Sequence, residues 1–154
     1  MQLHLEPVGP ANREAVLALR TAPGQEGYVE TVAQCLEEAD HTRCWRPVAI
    51  YDGATLVGFA MYGFFWQYFP FGRLWLDRLL IDVHCQGQGY GKAAFTALLD
   101  RLAHEYPRRR KIYLSVIEAN APAISLYQKF GFHFTGELDT HGEKVMVRKR
   151  PTQK

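Results

Sequence analysis

The stretch IDVHCQGQGYGKAAF, residues 81–95, decides the fold. It reads as the end of an apolar strand, a glycine-rich turn and the start of a helix. Glycine lets a backbone approach a ligand closely and take positive φ. Bare N–H groups at a helix start, with the positive end of the helix dipole behind them, form an anion site. Diphosphate suits such a site. Two familiar phosphate motifs fail on spacing. A P-loop needs glycine five residues before Gly91, where Gln86 stands, and Ser or Thr where Ala93 stands. A dinucleotide fingerprint begun at Gly87 needs glycine at Lys92. What remains is Q-x-x-G-x-G, on Gln86, Gly89 and Gly91. This spacing alone fits either a tight strand-to-helix turn or an anion cradle.

Working outward, RLWLDRLLID (73–82) is a near-continuous apolar strand, which suggests burial on both faces. Upstream, QLHLE alternates and predicts a short strand ending at Pro7. Helices are expected over 12–20, with Asn12 as N-cap, and over 28–40. Asp52-Gly53 is a hairpin signal between strands at 47–51 and 54–64. Downstream, a helix over 90–106 precedes a strand at 111–117. Asn120 then caps a helix to Phe130, which Gly131 stops. Strands at 132–138 and 143–150 flank a DTHG turn. The order is βααβββαβαββ. It predicts one layered α/β sheet with antiparallel arms and a parallel step where helices cross over.

The chain has 154 residues, which predicts one domain over 1–150 and a short tail at 151–154. A net charge of +2 argues for neither nucleic acid nor a membrane surface. The basic runs RRRK (108–111) and RKR (148–150) read as a solvated loop and tail. Residues 53–72 carry no charge over a span's length, but Gly58, Gly63, Gln67 and Pro70 favour two strand-type runs and a loop. No basic-then-apolar leader follows Met1, and three cysteines form no CxxC pair, so a cytoplasmic protein is expected. The six histidines have no metal-ligand spacing, and no metal is expected. Cys85 lies beside the glycine turn without an evident base, so it is not read as a nucleophile.

A second motif, NAPAISLYQKFGF (120–132), stands about thirty residues downstream of the glycine turn. Alone, it fits a capped amphipathic helix. Together, the two motifs resemble the GCN5-related N-acetyltransferase (GNAT) superfamily. Q-x-x-G-x-G after an apolar strand is similar to its acetyl-CoA diphosphate motif, and Asn120, Ala123, Leu126, Tyr127, Gly131 and Phe132 match its second motif. The resemblance covers essentially the whole chain. The segments 57–63, 74–82, 111–115, 123–139 and 142–147 most resemble bacterial spermine/spermidine acetyltransferases.

The resemblance implies acetyl-CoA as co-substrate, a single-domain GNAT fold splayed at the acetyl-CoA site with helices on both faces, and direct attack of an amine on the thioester. It implies that Leu79, Leu80 and Ile81 hold the thioester and pantetheine where the strand splays. The turn of Gln86, Gly87, Gln88, Gly89, Tyr90, Gly91 and Lys92 would cradle the diphosphate. Asn120 would contact pantetheine or cap its helix. Tyr127 would be the general acid, or else a helix tyrosine packed on the sheet. Asp77 is expected at the acceptor, or else in a structural ion pair; Asp82 and Glu118 read as turn or surface carboxylates. Glu26, Tyr28 and Glu30 would line the acceptor groove or form a solvated helix start. The aromatic run 62–71 reads as core and interface, with Trp66 or Tyr68 reaching the acceptor, and a homodimer is expected. The acceptor implied is a polyamine. Other amines (an aminoglycoside, an amino acid, a protein N-terminus) and a non-catalytic CoA-binding module are the alternatives.

Overall fold

The computed structural model describes residues 1–21, 31–68 and 70–150. Seven strands form one sheet: β1 (Leu3–Pro7), β2 (Trp45–Asp52), β3 (Thr55–Phe65), β4 (Arg73–Ile81), β5 (Lys111–Val116), β6 (His133–Leu138) and β7 (Lys144–Lys149). Their spatial order is β1-β2-β3-β4-β5-β7-β6. Neighbours are antiparallel except β4 and β5. The helices are α1 (Arg13–Leu17), α2 (Val32–His41), α3 (Tyr90–Glu105) and α4 (Ala121–Lys129). This is the element order read from the sequence.

The core lies on both faces of the sheet. Val16 of α1 and Val32, Cys35 and Leu36 of α2 pack on Ala49, Phe59, Met61 and Leu80. Opposite, Ala94, Phe95, Leu98, Leu99 and Leu102 of α3 join Ile50, Tyr62, Leu74, Leu76, Ile112 and Met146. These spacings give α3 one wide apolar stripe.

Three local expectations are corrected. Helix α1 covers only Arg13–Leu17: past Leu17 the chain turns on tighter bonds, Ala18 N–H to the Ala15 carbonyl and Leu19 N–H to the Val16 carbonyl (both 3.1 Å). Asn12, at the N-cap, bonds the preceding turn and not the helix, its Oδ1 accepting from Gly9 N–H (2.8 Å) and its Nδ2 donating to the Pro7 carbonyl (3.1 Å). Helix α2 starts at Val32 behind a Thr31–Gln34 capping box; the expected start at 28 falls outside the described residues, as do Glu26, Tyr28, Glu30 and the tail 151–154. The uncharged segment 53–72 holds one eleven-residue strand, β3, rather than two runs. Gly58 belongs there because a Cβ would collide with the Leu80 carbonyl oxygen of the neighbouring strand. No helix among the described residues is long and apolar enough to cross a membrane.

Strand β4 positions the site. Along β3, Met61 faces Arg78 and Tyr62 faces Leu76, so Asp77 is the extra residue of a β-bulge. The parallel contact with β5 consists of Leu74↔Ile112 and Trp75↔Tyr113. Beyond Trp75 the two strands part, and Arg78–Ile81 lie beside the opening.

Candidate active site

Two recesses flank this splay. The larger, about 350 Å³, runs from Leu79, Leu80 and Ile81 past the glycine turn to α4. Gln86, Gly87, Gly89, Tyr90, Gly91, Asn120 and Tyr127 line it; Thr21, Cys85, Pro122, Ala123 and Leu126 were not foreseen as wall residues. Gln88 and Lys92 lie in the exposed turn and first helical turn outside that wall.

The glycine turn is built as an open donor set. Gly89 is the N-cap of α3 at φ +84°, the left-handed region that favours glycine, and no side chain caps the helix. The first amides of α3 therefore lack an intrahelical acceptor. A Cβ on Gly87, Gly89 or Gly91 would meet no atom within 4 Å, so the space before these amides is empty of protein. Gln86 Nε2 donates to the Ile81 carbonyl (3.0 Å), tying the turn to the end of β4. The Tyr90 hydroxyl donates to Asp52 Oδ2 (2.6 Å) and anchors the helix start to the β2–β3 hairpin. Such a concave set of amides fits a diphosphate, and the apolar walls beyond it fit a pantetheine arm.

Tyr127 lines the inner part of the crevice from α4. Its ring packs on Phe95 (5.3 Å) and Phe132 (6.2 Å). No hydrogen bond to its hydroxyl is found among the described residues. Dehydration pushes its phenol pKa up, and the Arg78 guanidinium opposes that shift. Asn120 Oδ1 accepts from Ala123 N–H (3.4 Å), so it caps α4 while also facing the crevice.

The second recess, about 180 Å³, holds Asp77. It gathers four carboxylates from different elements: Glu38 of α2, Asp77 of β4, and Asp139 and Glu143 of the β6–β7 turn. Trp45, Phe65, Tyr68 and Trp75 supply aromatic walls, and Ser115 enters from β5. The indole Nε1 of Trp75 is buried with no hydrogen-bond partner among the described residues. Asp77 also faces its neighbour Arg78 at 3.9 Å, the structural ion pair that was the other reading of this carboxylate. Arg78 is only 9% exposed, and its charge acts on Glu143 in this recess and on Tyr127 in the crevice. It stands between the two compartments.

Of the aromatic run, Tyr68 reaches the recess, whereas Trp66 packs on Phe64 (4.8 Å) beneath Arg109. Arg109 also donates to the Phe71 carbonyl (2.8 Å), so part of the basic loop is spent on the fold. Asp82 accepts from Arg20 N–H and His84 N–H, and Glu118 pairs with Lys144, as a turn and a surface carboxylate should. Among the described residues no group of acidic, His or Cys side chains is placed to hold a metal. The sequence did not single out Glu38, Asp139, Glu143, Trp45 or Trp75, because strand and turn positions far apart in the chain meet only when β4 and β5 separate.

This site belongs with acyl transfer from a pantetheine carrier, and residues 12–132 match the acetyltransferase (GNAT) family. The chain belongs to that family. It is 48% identical over 151 residues to the probable spermine N(1)-acetyltransferase of Bacillus subtilis subsp. natto, covering 96% of this chain and 99% of the relative. It is 47% identical over 151 residues to the spermine/spermidine N(1)-acetyltransferase of Bacillus subtilis strain 168, with the same coverage. The fold also superposes on the spermidine N-acetyltransferase of Vibrio cholerae in complex with CoA and spermine. There the TM-score is 0.70 at 19% identity, over 97% of this chain and 96% of that one.

Proposed function

We propose that this chain transfers an acetyl group from acetyl-CoA to a primary amine of a polyamine such as spermidine or spermine. The observation that carries the acceptor class is the recess of four carboxylates and four aromatic rings beside the splay. Carboxylates balance several ammonium charges, and aromatic faces attract cations and cover the methylene links between them. The names of the two Bacillus relatives support the same class.

Acetyl-CoA supplies the acetyl group as an activated thioester. The chain supplies position, an environment for the developing oxyanion, and protons. The amides of Gly87–Gly91 hold the diphosphate, and Lys92 and Gln88 border it from the exposed side. The main chain of Leu79, Leu80 and Ile81, released from β5 by the splay, faces the pantetheine and the thioester carbonyl. Asp77, at the bulge, binds an ammonium group of the acceptor. Tyr127 gives the leaving thiolate its proton; a phenol near 10 acting on a thiolate near 8.5 works uphill by about 2 kcal/mol. Burial of Tyr127 widens that gap, and the positive charge of Arg78 offsets part of the increase. Glu26, Tyr28 and Glu30 remain candidates for the acceptor side.

Cys35, Cys44 and Cys85 form no disulfide with one another, which favours a reducing cytoplasm. A homodimer would cover exposed Trp66 and Phe71, 67% and 75% accessible in the single chain; sedimentation in solution tests it. Thiol release from acetyl-CoA across a panel of amines tests the activity. Turnover with spermidine or spermine is expected. Turnover only with aminoglycosides, amino acids or peptide N-termini would replace the acceptor class, and coenzyme A binding with no turnover on any amine would leave a carrier-binding module.

A further inference from the structure

The acetyltransferase reading leaves one chemical duty unassigned. An alkylammonium near pKa 10.4 is neutral in only about one molecule in 2500 at pH 7, and only the neutral amine attacks. We propose that Glu143 is the general base, taking the proton from the acceptor ammonium directly or through one water. This rests on the proposed N-acetyltransferase activity and adds a residue to it.

The placement comes first. The main chain of Glu143 closes the β6–β7 turn: its N–H donates to Asp139 Oδ1 (2.8 Å), and its carbonyl accepts from Asp139 N–H (2.8 Å), while its carboxyl is hydrogen-bonded to the Asp139 carboxyl. Asp139 Oδ1 also accepts from His141 N–H (2.8 Å). The turn is therefore a stiff mount that sets the Glu143 carboxyl against that of Asp139 at the wall of the recess. β7 begins at the next residue, where Lys144 pairs with Val116 at the end of β5. That fixes Glu143 on the far side of the opening between β4 and β5.

The neighbouring carboxylates are committed differently. Asp139 holds two amides, Asp77 faces Arg78, and Glu38 sits on an exposed position of α2. The titratable and charged groups that line the recess with Glu143 are Glu38 from α2, Tyr68 from the β3–β4 turn, Asp77 and Arg78 from β4, and Asp139 and His141 from its own turn. Dehydration raises the Glu143 pKa most, and Asp139 raises it further by repulsion and by a carboxyl–carboxyl hydrogen bond that retains a proton; Arg78 and His141 act in the opposite sense. A carboxyl raised toward neutrality is better suited to accept a proton at pH 7 than an ordinary surface glutamate. Arg78 is felt by both Glu143 and Tyr127, so base and acid flank one buried guanidinium.

The step balances. Glu143 carboxylate takes one proton from the ammonium, and the freed nitrogen lone pair forms the C–N bond to the thioester carbonyl carbon. The C–S bond breaks with its electron pair on sulfur, and Tyr127 protonates that thiolate. The second proton lost from nitrogen returns to the Tyr127 phenolate through solvent, and protonated Glu143 releases its own at the open mouth of the recess.

The test is the pH dependence of kcat/KM for Glu143→Gln with two acceptors. Gln preserves both main-chain bonds of the turn, and calorimetric binding of coenzyme A reports that the variant is folded. With a polyamine, kcat/KM at pH 7 is expected to fall about a hundredfold, and its acidic limb to move up to the ionisation of the amine itself, near 10.4. With a diamine carrying fluorine beside the reacting amine, largely neutral at pH 7, the loss should shrink to less than about tenfold. An acidic limb that stays where the wild type has it, or an equal loss on both amines, overturns the proposal. If the Gln variant fails to bind coenzyme A, Glu143→Asp decides: a displaced limb supports the assignment and an unmoved one refutes it. A wild type that ignores polyamines but acetylates another alkylamine defeats only the acceptor class, and the same comparison on that amine still decides the base.

Discussion

The Tyr90 hydroxyl reaches across from the first turn of α3 to Asp52 Oδ2 at 2.6 Å, and Asp52 Oδ1 accepts from Gln2 N–H at 2.8 Å. One hairpin carboxylate thus ties the diphosphate cradle to β1 and β2. Tyr90→Phe should raise the KM for acetyl-CoA about three- to tenfold, with kcat changed less than about twofold, because it loosens the cradle without touching the reacting atoms. Tyr90 and Gln2 hold the Asp52 carboxyl below its ordinary pKa. The strap's contribution is therefore present above about pH 4 and lost as pH falls through the lower folded value. Steady-state kinetics in both substrates checks the split; a drop confined to kcat would assign Tyr90 a different task.

Gly89 and Gly91 both face open space, but only Gly89 has positive φ. Alanine at Gly89 should cost about 1–2 kcal/mol of stability and weaken coenzyme A binding. Alanine at Gly91 should instead stabilise the helix by up to about 1 kcal/mol while its methyl group crowds the diphosphate. Opposite shifts in melting temperature with the same loss of affinity, read by thermal melts and calorimetry, separate backbone conformation from ligand space. Unchanged affinity in both variants would remove the cradle from the binding site.

The glycine turn, Asn120 and Tyr127 were legible because each is a local motif with its own chemistry. Element order followed from hydrophobic periodicity for the same reason. The acceptor recess was only partly legible. Asp77 was picked out, but its position as a bulge residue depends on register against β3, and the carboxylates that share its recess come from two distant segments, Glu38 from α2 and Asp139 and Glu143 from the β6–β7 turn. Helix α1 was overestimated at its C-terminal end, where Ala18 and Leu19 turn on i→i−3 bonds and Arg20 N–H donates to Asp82, which no periodicity reports. The capping box at Thr31 and Gln34 was visible as a T-x-x-Q pattern and marks the true start of α2.

Tyr127→Phe removes the hydroxyl and keeps the ring that packs on Phe95 and Phe132. It should lower kcat about a hundredfold and leave coenzyme A affinity within about twofold. Because burial raises the phenol's pKa, the wild-type acid stays protonated through pH 9, and no alkaline limb below that is assigned to it. Equal rates for wild type and variant would return Tyr127 to a packing role.

Arg73 forms a two-pronged pair with Glu137 (2.7 and 3.0 Å) while its guanidinium lies over the rings of Tyr113 (4.2 Å) and Tyr68 (5.0 Å). Lysine keeps the charge but neither the fork nor the flat face. Arg73→Lys should change stability by less than about 1 kcal/mol, since the pair is largely solvated. It should still raise the acceptor KM several-fold by releasing Tyr68, a wall of the recess, without altering the KM for acetyl-CoA. A shift in the acetyl-CoA KM instead would mean that Arg73 acts on the other compartment.

Glu143 predicts opposite effects on stability and activity. Its folded pKa is raised, so the stabilising contribution of its protonated form is complete below about pH 4 and disappears as pH rises through the folded value. At pH 7 the half-buried charge therefore destabilises the free enzyme, and Glu143→Gln should melt higher than wild type while turning over more slowly. The gap in melting temperature should close below about pH 4, where both chains carry a neutral side chain. A variant that melts lower than wild type at every pH would show that the carboxyl holds the turn together, contrary to the main-chain closure of Asp139 and Glu143.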